Sequence, residues 1–219
     1  WNAKIMPLKF LNAAGSGYTS GAVSAILYAN KMGAKVISNS WGGSSRSQAL
    51  KDAIDASSAV VVCAAGNGGS DGTGDDNDVS PHYPSSFDSP QILSVASLTR
   101  SDALASYSNY GLHSVDIGAP GSEIYSTYPG SGYRYMSGTS MATPFVSGVA
   151  ALLLAKEPSL SNIAVIQRIL GSAEPVASLN GISVTGGRVN AYRALNGESV
   201  SPTVAPTSSP TLIPTAVPT

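Results

Sequence analysis

Ala59-Val60-Val61-Val62-Cys63-Ala64-Ala65 decides the fold. It is apolar without interruption and rich in β-branched residues, the pattern of a strand buried on both faces of a parallel sheet. It stops at Gly66-Asn67-Gly68. Upstream, Ser47–Ser57 sets Leu50, Ala53 and Ile54 opposite Asp52 and Asp55, which predicts an amphipathic helix. Before that, Val36–Ser40 reads as a second strand running into Trp41-Gly42-Gly43. Tyr18–Met32 reads as a helix stopped by Gly33, and Ile5–Leu8 as a short first strand. Downstream, Ile92–Ala96 and Val115–Ile117 read as strands, and Ile124–Tyr128 with Tyr133–Met136 as a hairpin around Pro129-Gly130. Ser140–Lys156 is a helix without charge until its last residue, expected to be buried almost all round. Ser161–Leu170 and Asn190–Leu195 close the pattern as helices. Alternating strands and helices of these lengths make βαβ units, hence an α/β fold with a mostly parallel sheet layered by helices.

Composition narrows the classes. The 219 residues are 42% hydrophobic and only 11% charged, against a usual ~25% charged. Twelve basic and 13 acidic residues leave a net charge of −1 with no basic stretch, so no nucleic-acid partner is expected. The longest apolar runs, Ala59–Ala65 and Val149–Ala155, have seven residues, far short of the ~20 of a membrane span. Cys63 is the sole cysteine, which excludes a disulfide within the chain and a cysteine-based zinc site. In its strand it reads as a small hydrophobe. The chain starts at Trp1 with no leader and reads as processed or truncated. Residues 201–219 repeat Pro-Thr every four positions from Pro202-Thr203 to Pro218-Thr219, without charge or aromatic group. They read as an extended linker or stalk after a domain of residues 1–200.

In a parallel sheet, ligands collect at the carboxyl ends of strands. The Ser40–Gly43 and Gly66–Gly68 loops should meet there. Gly138-Thr139-Ser140-Met141-Ala142-Thr143-Pro144 opens the long helix, with Thr139 as its cap and Ser140 in the first turn. Pro144 lacks the N–H that would bond the Ser140 carbonyl, which loosens that turn. A hydroxyl beside free N–H groups is the layout of an acyl-transfer nucleophile whose own amide helps hold an oxyanion, with Asn67 as a second donor. An isolated serine at this place more often only caps a helix.

The combination resembles a family. Ser137-Gly138-Thr139-Ser140-Met141-Ala142-Thr143-Pro144 is similar to the nucleophile motif of subtilisin-like serine proteases. Ala64-Ala65-Gly66-Asn67 is similar to their oxyanion-asparagine segment, and Ser38-Asn39-Ser40-Trp41-Gly42-Gly43 to their substrate-binding strand. The order is the family's. Tyr83-Pro84-Ser85-Ser86, Ser106-Tyr107-Ser108-Asn109-Tyr110-Gly111 and Ala119-Pro120-Gly121 extend the likeness across nearly all of residues 1–196. Phe145 departs from it, standing where many members carry a histidine outside the triad. The resemblance implies a three-layer, doubly wound, mostly parallel sheet. It implies a secreted endopeptidase acting on protein or peptide substrates. Ser140 would be its nucleophile and Asn67 its oxyanion donor, with Ser40, Trp41, Gly42, Ala65 and Gly66 binding substrate. The pocket between Ser40–Gly42 and Ala64–Gly66 is expected to take apolar or aromatic side chains, and the chain to be a monomer.

The family's triad also needs an Asp and a His, whose motifs do not occur in this sequence. His82 and His113 sit in unmatched contexts and read as loop histidines. The chain therefore resembles the C-terminal two-thirds of such a catalytic domain, truncated at the N-terminus. The alternative is a truncated or pseudoenzyme domain that binds peptides without cleaving them. An α/β-hydrolase order fails because no histidine follows Ser140. A chymotrypsin-like order through His82, Asp102 and Ser140 would demand β-barrels, against the predicted helices. Sedolisins share the Ser-Gly-Thr-Ser motif but place an acid where Asn67 stands. Asp71, Asp75, Asp76 and Asp78 fall within eight residues, with no Lys or Arg between Lys51 and Arg100. They read as a solvated loop or a calcium site, without the EF-hand spacing. No organic cofactor is expected.

Overall fold

The computed structural model describes residues 3–199. Segments with buried apolar residues on alternating or helical periods form most of the elements, and two two-residue strands, Glu174–Pro175 and Gly187–Arg188, add to those that the sequence predicts. In chain order these are α1 (Thr19–Lys31), β1 (Val36–Asn39), α2 (Gln48–Asp55), β2 (Val60–Ala64), β3 (Ile92–Leu98), β4 (Ile117–Pro120), the hairpin β5 (Ile124–Tyr128) and β6 (Gly132–Met136), α3 (Thr139–Lys156), α4 (Asn162–Gly171), β7 (Glu174–Pro175), β8 (Gly187–Arg188) and α5 (Ala191–Asn196). The main sheet has the order β1-β2-β3-β4-β8-β7. It is parallel from β1 to β8, and β7 is antiparallel to β8.

Strand alternation splits the core between two helical layers. On one face, Val60, Val62, Leu93, Val95 and Ile117 pack with Ala142, Val146, Val149, Ala150 and Leu153 of α3, Val165 and Ile169 of α4, and Ala194 of α5. On the other, Val61, Cys63 and Ile92 pack with Ala22 and Ile26 of α1 and Leu50, Ala53 and Ile54 of α2. This is the three-layer, doubly wound α/β arrangement. β2 and β3 are buried along their whole length, as strands covered on both faces must be. Cys63 is fully buried, and burial pushes its thiol up to about 12, so it packs as an inert apolar group. Ser47, Ser161 and Asn190 cap α2, α4 and α5 by accepting from backbone N–H groups three residues on.

Four expectations need correction. Ile5–Leu8 forms no strand: among the described residues it has no ladder partner, and Ile5 is 92% exposed. An unpaired run cannot satisfy its backbone groups as a strand does. The predicted strand Val115–Ile117 instead starts at Ile117 and continues to Pro120, because its register with β3 runs from Val95↔Ile117 to Leu98↔Pro120. Proline is tolerated there as the strand's last residue. α3 is not buried all round: Pro144, Phe145, Gly148, Leu152 and Ala155 make an exposed apolar stripe opposite its packed face. Small and apolar residues all round the helix hid which face the sheet takes. Thr139 is not the cap of α3. Gly138 holds that place, and the Thr139 hydroxyl bonds elsewhere. The Pro-Thr segment 201–219 lies outside the described residues.

Candidate active site

The parallel register Asn39↔Cys63 ends β1 and β2 side by side, so the loops after them are neighbours. Gly66 turns the second loop at φ 112°, a conformation that glycine adopts without strain. Two buried asparagines hold this loop. Asn77 Nδ2 donates to the Ala65 carbonyl (2.8 Å), and Asn109 Nδ2 donates to Asn77 Oδ1 (2.8 Å). Asn109 Oδ1 accepts from Gly68 N (2.5 Å) and Asp75 N (3.0 Å), and its own N–H donates to the Gly66 carbonyl (3.0 Å). Side-chain amides thus replace a regular ladder and fix the backbone around Asn67.

The N-terminus of α3 closes the site. Thr139 N (2.8 Å) and Thr139 Oγ1 (3.1 Å) both donate to Asn67 Oδ1, and Thr139 Oγ1 accepts from Gly66 N (3.3 Å). This fixes the Asn67 amide with its oxygen turned to α3. Among the described residues its NH₂ has no acceptor. Ser140 N likewise has none, being in the first turn of α3. Ser40 Oγ donates to the Ser140 carbonyl (2.8 Å), the group that Pro144 leaves without its helical partner. Ser140 Oγ donates in return to the Ser40 carbonyl (3.2 Å). A hydroxyl, two unoccupied N–H donors and a helix N-terminus therefore converge at the carboxyl ends of β1 and β2. Such a set can bind a developing oxyanion.

The remaining predicted residues divide. Ser40, Gly42, Ala65 and Gly66 flank this point. Trp41 is half-buried and stacks edge-on against Phe10, with ring centroids 5.0 Å apart, so much of its surface belongs to the α1/α2 core. His82 lies against Gly42 and Gly66, whereas the His113 amide is tied to Asp78 Oδ2 (3.0 Å) on another loop. Neither bonds Ser140. The four acids do not gather. Asp71 Oδ1 accepts from Thr73 N, Asp76 Oδ1 from Asp78 N, and Asp78 Oδ1 from Ser114 Oγ. Among the described residues no three His, Cys, Asp or Glu side chains are placed to share a metal. Thr139, Asn77 and Asn109 escaped sequence reasoning as site residues. Asn109 sits inside a family-like motif, but only the fold reveals its contact with residues 41 positions away.

Sheet, helix-borne serine and facing amide define a class of three-layer α/β domains with the layout of subtilisin-type proteins. The family model described as the subtilase family matches residues 1–199, and the chain belongs to that family. It is 41% identical over 196 residues to thermitase of Thermoactinomyces vulgaris, covering 88% of this chain and 65% of that protein. It is 43% identical over 175 residues to subtilisin DY of Bacillus licheniformis, covering 78% of this chain and 61% of that one. The chain thus spans less than two-thirds of these relatives. Among solved structures, the prenylagaramide maturation protease PagA superposes with a TM-score of 0.73 at 27% identity, covering 87% of this chain and 72% of that one.

Proposed function

We propose that this chain carries the nucleophile and oxyanion hole of a secreted, monomeric serine endopeptidase acting on protein or peptide substrates. The observation that supports this most is the pair of unoccupied donors, Ser140 N–H and Asn67 Nδ2, beside the Ser140 hydroxyl. An extended substrate lies along Ser40–Gly42, pairing backbone to backbone. Ser140 Oγ attacks the scissile carbonyl carbon and gives its proton to a general base. The tetrahedral oxyanion takes both donors. Collapse breaks the C–N bond, the amine leaves with that proton, and water then hydrolyses the ester on Ser140. The base and its carboxylate partner come from residues outside this sequence, in keeping with the chain spanning 65% of thermitase and 61% of subtilisin DY. No step of this reading depends on calcium at the acidic loop of Asp71, Asp75, Asp76 and Asp78.

A second reading is a peptide-binding domain without catalysis. It is favoured by the absence, among the described residues, of any imidazole bonded to Ser140. Hydrolysis of casein by a longer chain containing this sequence, abolished by Ser140→Ala, supports the first reading. Retention of peptide binding without cleavage supports the second.

A further inference from the structure

Asparagine is a labile side chain, and most so before glycine, where nothing shields the nitrogen that attacks it. The chain has three such pairs, Asn67–Gly68, Asn180–Gly181 and Asn196–Gly197. The first contains the candidate oxyanion donor. Its glycine cannot be exchanged for a slower residue. Gly68 has φ 69°, and a Cβ there would stand 1.8 Å from the Thr73 carbonyl oxygen. The fold thus forces a labile pair onto Asn67.

The reaction has defined needs. Gly68 N gives its proton to solvent and attacks Asn67 Cγ. The Cγ–Nδ2 bond breaks, and ammonia leaves with a proton returned by solvent. Water then opens the cyclic imide to aspartate or isoaspartate, so one water enters and one ammonia departs. Two residues oppose the first step. Asn109 Oδ1 accepts from Gly68 N (2.5 Å), and a deprotonated Gly68 nitrogen would face its lone pairs. That atom must be the oxygen, since it also accepts from Asp75 N (3.0 Å). Asn109 is itself buried and held through Asn77 Oδ1 (2.8 Å). Thr139 N and Oγ1 both donate to Asn67 Oδ1, so the carboxamide cannot swing onto Gly68 N without breaking these bonds.

Asn180–Gly181 has no such guard. Both residues are exposed, in the turn closed by Ile182 N on the Leu179 carbonyl (3.2 Å). Among the described residues, Gly181 N has no protein acceptor. Asn196–Gly197 ends α5, where Gly197 N already bonds the Ala194 and Arg193 carbonyls.

We propose that Asn67–Gly68 is a latent deamidation site, held shut by Asn109 and Thr139, at which the chain loses its oxyanion donor once the loop opens. Aspartate there presents a carboxylate where Nδ2 would donate, and isoaspartate also reroutes the backbone. The consequence for catalysis rests on the reading of Asn67 as an oxyanion donor, whereas the modification itself does not.

The test is mass spectrometry of the 219-residue chain aged at mildly alkaline pH, with the amide-to-acid mass gain mapped to each Asn-Gly pair. In buffer, Asn67 should convert at least about tenfold more slowly than Asn180, because hydrogen bonds of ordinary worth must open first. In guanidinium the two should convert alike. Asn109→Ala should speed conversion at Asn67 about tenfold and leave Asn180 unchanged. Where that variant does not fold, hydrogen exchange of the wild type decides: Gly68 N–H should exchange at least about tenfold more slowly than Gly181 N–H. Equal conversion of Asn67 and Asn180 in buffer, an unchanged rate at Asn67 in folded Asn109→Ala, or an unprotected Gly68 N–H overturns the inference. In an active longer chain, kcat should fall in step with conversion at Asn67. Activity that survives complete conversion overturns the oxyanion reading of Asn67 and leaves the modification site standing.

Discussion

Ser40 and Ser140, one hundred residues apart, each donate a side-chain hydrogen bond to the other's backbone carbonyl, at 2.8 Å and 3.2 Å. The first bond occupies the carbonyl that Pro144 cannot serve. The second parks the Ser140 hydroxyl on the strand end along which substrate is proposed to lie. A long-range clamp thus ties the loosened first turn of α3 to the end of β1.

Removing that clamp tests it. Ser40→Ala should cost about 1 kcal/mol of stability, the usual net worth of one hydrogen bond. In an active longer chain it should also lower kcat more than it raises KM, because Ser140 loses its fixed position. An unchanged melt and unchanged kcat would show the bond to be incidental.

The Asn67 amide is oriented by Thr139. In an active longer chain, Asn67→Ala should lower kcat by about 10²–10³ with KM little changed, the effect of removing one oxyanion donor. Thr139→Val should give a smaller loss of the same kind, since the backbone bond from Thr139 N survives it. A defect confined to KM in both variants would make Asn67 a substrate-binding residue only.

Asp116 sets a pH dependence. Burial raises its carboxyl to about 6, against the lowering pull of Ser94 N–H, which donates to Oδ2 at 2.7 Å. Between the unfolded value of 3.8 and this one, the folded chain holds a proton that the unfolded chain has lost. The stability contributed by the neutral acid is therefore complete below pH ~4 and is lost as pH rises through ~6, a swing of about 3 kcal/mol at most. Asp116→Asn should raise Tm at pH 8 and leave it nearly unchanged at pH 4. An equal gain at both pH values would contradict this.

The exposed stripe of α3 lies on the helix that packs against β1, β2 and β3, and β1 is an unpaired edge of the sheet among the described residues. Phe145 is 43% and Leu152 50% exposed. The 219-residue chain should bind a hydrophobic dye and associate at high concentration. Phe145→Lys with Leu152→Lys should suppress the dye signal without lowering stability by more than about 0.5 kcal/mol per site. No dye binding by wild type would show that this face is already covered.

Period and punctuation made most of the fold legible. β2 announces itself because both its faces are covered, and α2 because only one of its faces is. The two-residue strands β7 and β8 carry no period and were invisible. So was the true face of α3, where alanine, glycine and leucine surround the helix and packing alone selects the buried side. At the candidate site, Ser140 and Asn67 stand out in the sequence through motifs. Their supports do not: Asn77, Asn109 and Thr139 act through bonds across 12 to 73 positions. His82 read as a loop histidine, and only the bare faces of Gly42 and Gly66 show what it fills.

The central claim is that Ser140 is a nucleophile with its oxyanion donors in place and its base supplied from outside this sequence. Labelling by a fluorophosphonate, with the modified residue mapped by mass spectrometry, tests it most directly. A serine hydroxyl without a base is a weak nucleophile, and losing a triad member costs on the order of 10⁴–10⁶ in kcat. The 219-residue chain should stay unlabelled over hours. A longer chain that adds the family's Asp and His should be labelled at Ser140 within minutes, and Ser140→Ala should abolish that label. Stoichiometric labelling of the 219-residue chain itself, or labelling of the longer chain anywhere but Ser140, would contradict the account.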